Sequence, residues 1–254
     1  MTNSRALDGL ISFLVGLLLW DLLARFIIRN PLFIPTVDQV INRLVELWGT
    51  GELQIHLMTS GLEFVCGFLL AIIFGVLGGM LLTASRSFRA LADPWVSMLY
   101  ATPLIALGPL FIIWLGIGLI SKIALIFLTA IFPILINTQI GLAETDKNYL
   151  DCAKSFRASP IQTYLKVRLP SSLPFIIAGI RLGAARGLVG VVGAELFGAR
   201  AGLGFLILTS SQNFDIPAVF GGILIFAFTG FLVVEGIQWL ENRLAPWRNK
   251  GKEL

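Results

Sequence analysis

The sequence predicts an all-α, polytopic membrane protein that crosses the bilayer six times, and three observations carry that expectation. Of its 254 residues, 56% are hydrophobic and 13% charged, about half the charged fraction of an ordinary soluble domain. Uncharged runs cover Phe64–Thr83, Pro94–Ser121, Ile123–Ala143 and Ile216–Val234, each reaching the roughly 18 to 20 residues that span a ~30 Å hydrocarbon layer. The basic residues are unevenly placed around the spans. With both termini in the cytoplasm, twelve Lys and Arg fall in inner loops, against Arg29, Arg43, Lys122 and Arg200 outside. The positive-inside rule then puts both ends in the cytoplasm. Topology thus accounts for the net charge of +4, and no nucleic-acid partner is needed.

The elements follow in order. Leu10–Ile28 holds Asp21 and Arg25, four apart and therefore able to pair on one helical face. Pairing offsets charges that would each cost about 2.5 to 3.5 kcal/mol at mid-membrane. The segment has no basic run before it and no small-residue cleavage site after it, so it reads as a retained first span, about 10–29. Asn30–Ile55 is too polar to cross. Thr36-Val-Asp-Gln39 has the form of a capping box, with Val37, Ile41, Leu44 and Trp48 on one face. An amphipathic helix over 37–48, lying along the outer surface and ended by Gly49-Thr-Gly51, is expected.

The second span, about 57–84, places small residues four apart in Gly75-Val-Leu-Gly-Gly79, which allows another helix to approach closely. The third, about 94–115, contains Pro94, Pro103 and Pro109. Interior prolines free backbone carbonyls that must be covered by protein or line a cavity; a pore-adjacent kink and a structural kink both stay open. Spans four, five and six follow at about 120–142, 174–197 and 216–240. Ser210-Ser-Gln-Asn213 reads as a loop near the outer face, or as part of an outer gate. No fixed-period repeat or inverted pair is evident. The whole is one transmembrane domain.

Between spans four and five lies the longest polar segment, 144–172. Tyr149, Ala153, Phe156 and Pro160 recur three and four apart, and Pro160 suits a first helical position behind Ser159. A second stretch, Ile161–Val167, is expected to end before Leu169-Pro170. Helices this short are marginal alone, so a cytoplasmic knuckle with an apolar surface points to a partner.

This loop resembles the EAA loop of ABC-transporter permeases, whose pattern is Glu-Ala-Ala, three residues, Gly, nine residues, then Ile-x-Leu-Pro. Asp151-Cys152-Ala153 stands at its start, Arg157 at its glycine and Val167-Arg168-Leu169-Pro170 at its end, with every spacing kept. Arg157 is the departure that matters, because a left-handed backbone there would cost an arginine roughly 1 kcal/mol or more. The stretches 103–118, 121–138, 173–207 and 216–225 resemble the nitrate, sulfonate, taurine and bicarbonate branch of these importers, and the likeness covers about residues 10 to 245.

The resemblance implies a MetI-like, type I importer permease in a bacterial inner membrane. It further implies a second permease copy in a homodimer, two ABC ATPase subunits, and a solute-binding protein that is periplasmic or a lipoprotein. Asp151, Cys152, Ala153, Ser155, Phe156, Arg157, Ala158, Ser159, Leu169 and Pro170 would couple to the ATPase, and the solute would be a small anion. Heterocyclic vitamin precursors use similar permeases. The chain has no G-x-x-x-x-G-K-[ST] phosphate loop, its Gly251-Lys252 being followed by Glu, so active transport would borrow a separate ATPase.

Four ionisable residues within spans are candidates for the solute pathway: Glu63, Arg181, Arg186 and Glu195. At ~1.5 Å per residue from Pro174, Arg186 lies about 18 Å deep, near mid-membrane. It either helps an anion through or is accounted for by snorkelling or by pairing with Glu63 or Glu195. Cys66 and Cys152 offer no disulfide framework, and the single His56 forms no His-rich metal site; no cofactor is expected. An ion-driven secondary transporter is the first rival reading. The second is an intramembrane enzyme, which would have to use His56 without a G-x-S-x-G elbow.

Overall fold

In the computed structural model, which describes residues 2–244, every regular element among the described residues is helical. The basic run Arg248–Lys252 lies outside them. Helix α1 (Thr2–Leu22) continues through a π-helical turn, Leu23–Ile28, that ends on Arg29 in a left-handed conformation with its N–H on Ala24 O. Asp21 and Arg25 pair at 2.7 Å, as their spacing requires. Helix α2 (Val37–Gly49) begins with the expected capping box, Gln39 accepting the Thr36 N–H at 3.0 Å. Its buried face differs from the expected one. Val40 and Leu47 are enclosed with Leu44 beside them, whereas Ile41 and Trp48 are more than half exposed. Apolar residues flank both sides of the 40/44/47 stripe, so periodicity alone fixes the face only to within a third of a turn.

Helix α3 (Glu52–Ala84) is long enough to cross in one piece. The third span is broken: α4 (Arg86–Ala101), a 3₁₀ turn (Leu104–Leu107) and α5 (Gly108–Leu115) bend by 85°. Pro94 is accommodated inside α4, Pro103 sits at the break, and Pro109 occupies the first turn of α5, where a missing N–H costs nothing. Helix α6 (Leu119–Ala143) follows, then α7 (Lys147–Ser155) and the short α8 (Pro160–Thr163). Leu169-Pro170 does not terminate the helix as expected. A π-helical turn, Tyr164–Arg168, leads directly into α9 (Leu169–Leu196), giving one helical run from Pro160 to Leu196. The wider turn, closed by Leu169 N–H on Tyr164 O, brings Pro170 in as an opening residue of α9, where it can be borne. Helix α10 (Leu203–Gln212) contains Ser210 to Gln212, so that stretch is helical rather than a loop, and α11 (Ile216–Leu244) completes the chain. By length and composition, five helices and the bent pair provide up to six crossings.

The described chain forms two compact units. One comprises the residues through Ser60 together with Arg200–Ala227. Its core joins Leu47 of α2, Leu53 of α3, Leu203 and Leu206 of α10 and Ala218 of α11. Arg43 binds Asp215 at 2.7 Å and Glu46 at 2.9 Å. Partial burial opposes the Arg43 charge, but these two carboxylates outweigh it and hold its pKa above the ordinary arginine value. The α10 N-terminus is capped from α3: His56 Nδ1 accepts the Gly202 N–H at 3.0 Å and Ser60 Oγ the Leu203 N–H at 2.7 Å.

The other unit comprises Gly61–Ala199 and the chain from Phe228, and α6 is its centre. Leu125, Ile126, Ala130, Ile134 and Leu142 are essentially sealed. Glycines let the neighbouring helices close on them: a Cβ on Gly75 or Gly79 of α3 would come within 2.9 or 2.6 Å of Ile134 or Thr138. On α9, a Cβ at Gly183 would meet Ile134 at 2.7 Å. The glycine stripe of the second span is therefore explained by helix packing.

Candidate functional site

The knuckle from 144 to 172 is built from local hydrogen bonds. Asp146 caps α7 by accepting the Asn148 N–H at 2.8 Å. Ala153 is the side chain that α7 buries. Asp151 pairs with Lys154 at 2.8 Å, and Ser155 Oγ donates to Asp151 O. Cys152 is exposed.

The helix ends at Arg157, where φ is +51°. Arg157 N–H bonds to Lys154 O at 2.8 Å and Ala158 N–H to Ala153 O at 3.0 Å. These are the two bonds of a Schellman motif, whose left-handed residue is usually glycine. The position where the EAA pattern has glycine thus keeps a left-handed turn although arginine occupies it. Two residues later Ser159 caps α8, accepting the Gln162 N–H at 3.2 Å while Gln162 accepts the Ser159 N–H at 2.9 Å. Both sides of the corner are pinned.

This frame holds apolar side chains outward. Phe156 is 83% exposed and Ile161 72%, with Tyr149 and Leu165 also more than half exposed. Such a cluster on a pinned corner can seat in a complementary groove. Leu169 and Pro170 stand apart from it, half-buried at the start of α9.

The pathway candidates separate into different environments. Glu63 and Glu195 are almost wholly enclosed, at 1% and 0% exposure. Glu63 takes Lys122 as its ion partner, Nζ donating to Oε1 at 2.6 Å, rather than Arg186. Lys122 also lines a small cleft with Gly108, Ile112, Ser121, Leu125 and Ala194. Arg181 pairs with Glu241 of α11. Arg186 is exposed on α9 and has no hydrogen-bond or ion-pair partner among the described residues.

Lys122 and Glu241 escaped the reading of the sequence. The only signal was negative: an ionisable residue in a span demands a partner, and these partners lie 59 and 60 residues away along the chain.

Comparisons with known proteins place these features. The model of the family described as binding-protein-dependent transport system inner membrane component matches residues 67–246. SsuC of Bacillus subtilis, named for aliphatic sulfonate transport, is 35% identical over 96% of this chain and 88% of its own. The formylaminopyrimidine transport permease protein ThiX of Halalkalibacterium halodurans is 31% identical over 97% and 98%. A solved inward-facing structure of the MetNI methionine ABC transporter superposes with a TM-score of 0.68 at 16% identity, over 76% of this chain and 96% of the matched one. That likeness is one of fold.

Proposed function

The chain belongs to the family of binding-protein-dependent transport system inner membrane components, and on that premise we propose that two copies form the conduit of an ATP-driven importer for a small anion. It is a multi-pass transport subunit of the inner membrane and not an enzyme. The family implies ATPase and binding-protein partners. In this reading both termini and the knuckle face the cytoplasm, and each knuckle seats in one of two ATPase subunits. A binding protein, periplasmic or lipid-anchored, delivers the solute to the opposite side.

One observation carries the reading: the chain displays Phe156 and Ile161 on a corner fixed by a Schellman turn and a capping box. Ordering a flexible loop on binding would cost affinity; this corner is already ordered. Together with the absence of a phosphate loop from the sequence, this supports a handle for a separate motor. The anionic solute is supported by Arg186, exposed and without a hydrogen-bond or ion-pair partner among the described residues, about 18 Å along the fifth span.

The test is import into proteoliposomes holding the permease, its ATPase and its binding protein. Scrambling residues 151–170 while preserving membrane insertion is expected to abolish ATP-driven uptake. Full uptake by the scrambled assembly, or uptake that follows an ion gradient and ignores ATP, rejects the proposal. The ThiX relative favours a second reading, a pyrimidine-like heterocycle as solute. Competition of uptake by a short alkanesulfonate, against competition by a formylaminopyrimidine, separates the two.

A further inference from the structure

The start of α10 is held from α3 by two side chains, and one of them is the single histidine of the chain. His56 is 6% exposed, and its Nδ1 accepts the Gly202 N–H at 3.0 Å. Gly202 stands at φ +128° immediately before α10, a conformation open to glycine. One turn further along α3, Ser60 Oγ accepts the Leu203 N–H at 2.7 Å. A ring nitrogen that accepts an N–H carries no proton, so His56 is neutral here and its proton sits on Nε2. That nitrogen faces Glu52 Oε1 at 3.7 Å, too long for a hydrogen bond but within reach of an ion pair.

Serine, threonine, asparagine and aspartate are the usual side chains at a helix start, and Ser60 is of that kind. Histidine brings a property that they lack, a change of charge between about pH 5 and 8. A second proton, placed on Nδ1, would set two donors against each other and leave the Gly202 N–H without its acceptor. The same proton makes the ring a cation beside the Glu52 carboxylate, one turn back on the same helix. Both effects act in one direction: the ring loses its partner on Gly202 and gains one in Glu52.

We propose that His56 is a proton-operated latch on α10: unprotonated at Nδ1 it holds the Gly202 amide and fixes where α10 begins, and protonated it releases that amide and turns to Glu52. The neighbouring elements supply other charges, but these are engaged elsewhere or exposed. Helix α10 carries no titratable residue, and its Phe205 sets an uncharged ring 6.1 Å from His56. On α2, Asp38 is held by Arg25, and Arg43 by Glu46 and by Asp215, which precedes α11. Residues 216–227 of α11 are uncharged. Arg200, two residues before Gly202, is exposed, and Glu63, further along α3, takes Lys122. In the transport reading this end of α3 faces outward, so the proton arrives from that side; the latch stands whether or not that reading does.

The test uses the full-length protein in lipid nanodiscs at about pH 8 and about pH 5.5, either side of the ordinary histidine range. Nitrogen NMR of the labelled histidine is expected to show a bare Nδ1 and a protonated Nε2 at the higher pH, and both nitrogens protonated at the lower. Hydrogen-exchange protection of the Gly202 amide, corrected for the intrinsic pH dependence of exchange, should fall roughly tenfold between the two, the equivalent of one lost hydrogen bond. The Asn213 amide, bonded to Thr209 O at 3.0 Å at the far end of α10, should hold its protection. In H56N the side-chain oxygen takes the place of Nδ1 and cannot titrate, so Gly202 should stay protected at both pH values. H56Q, whose amide reaches the place of Nε2 instead, should leave Gly202 poorly protected at both. A proton on Nδ1 at the higher pH overturns the proposal, as does wild-type Gly202 protection that is equal at the two pH values. So does a pH dependence that persists in H56N, which assigns it to another group, or an equal fall at Asn213, which means that α10 melts as a whole.

Discussion

Replacing Arg157 by glycine should make the knuckle more rigid. Arg157 is held at φ +51° by the two bonds that close α7. An L-residue in this region costs about 1 to 2 kcal/mol because its Cβ crowds the carbonyl oxygen. Glycine removes that cost but is more flexible when unfolded, which returns about 0.4 to 1 kcal/mol. The net gain is about 1 kcal/mol, a factor of roughly five in the closed-to-open ratio of the turn. The Ala158 amide, bonded to Ala153 O at 3.0 Å, reports that ratio directly through hydrogen exchange. Its protection should rise roughly fivefold in R157G and stay at the wild-type value in R157A, which keeps the β carbon. Exchange as fast in R157G as in the wild type, or a gain of equal size in R157A, would show that the turn stores no strain.

Two further outcomes follow from packing and charge. G79A should lower the unfolding temperature by an amount equivalent to about 1 to 3 kcal/mol, because the new Cβ would lie 2.8 Å from the Leu135 carbonyl and 2.6 Å from Thr138 Cβ; G61A, with nothing within 4 Å, should not, and equal shifts would refute the packing argument. R186Q should leave stability unchanged, since Arg186 has no partner among the described residues, but reduce solute uptake at an unchanged ATPase rate; full uptake would remove the anion role.

Much of the helical plan was legible because the bilayer imposes a length on each apolar run. The same solvent hid the faces. In water, exposed Ile41 and Trp48 would be informative exceptions, but beside lipid an outward apolar side chain costs nothing, so the buried stripe of α2 could not be told from its flank. The charged contacts were hidden for a different reason. The uncharged run of the fourth span starts at Ile123, which counts Lys122 with the outer face and not as a buried ion partner, although α6 begins three residues before it. Glu241 was left beyond the last span for the same reason. Short-range motifs behaved better: Thr36-Val-Asp-Gln39 makes its box and Ser159 caps α8, since both are decided within four residues. Pro170 shows the limit of such signals, because a π-helical turn lets the chain pass a residue that ordinarily stops it.

That passage matters for how force would travel. From Pro160 to Leu196 the chain is helical throughout, so the knuckle and the glycine-packed part of α9 share one stiff element. If closure of an ATPase moves the knuckle, a continuous helix transmits the displacement to the α6–α9 contact, whereas a flexible joint dissipates it. Val167 and Arg168 lie within the π-helical turn, after the Ser159 cap that stabilises α8 locally. Substituting both by glycine weakens helix there by about 1 kcal/mol each relative to alanine, and together by roughly thirtyfold in the intact population. V167G/R168G should therefore bind the ATPase subunit as well as V167A/R168A does, since Phe156 and Ile161 are untouched, yet import far less solute per ATP hydrolysed. Equal coupling in the two double variants would mean that the drive reaches α9 by contacts elsewhere, and that the unbroken helix is incidental.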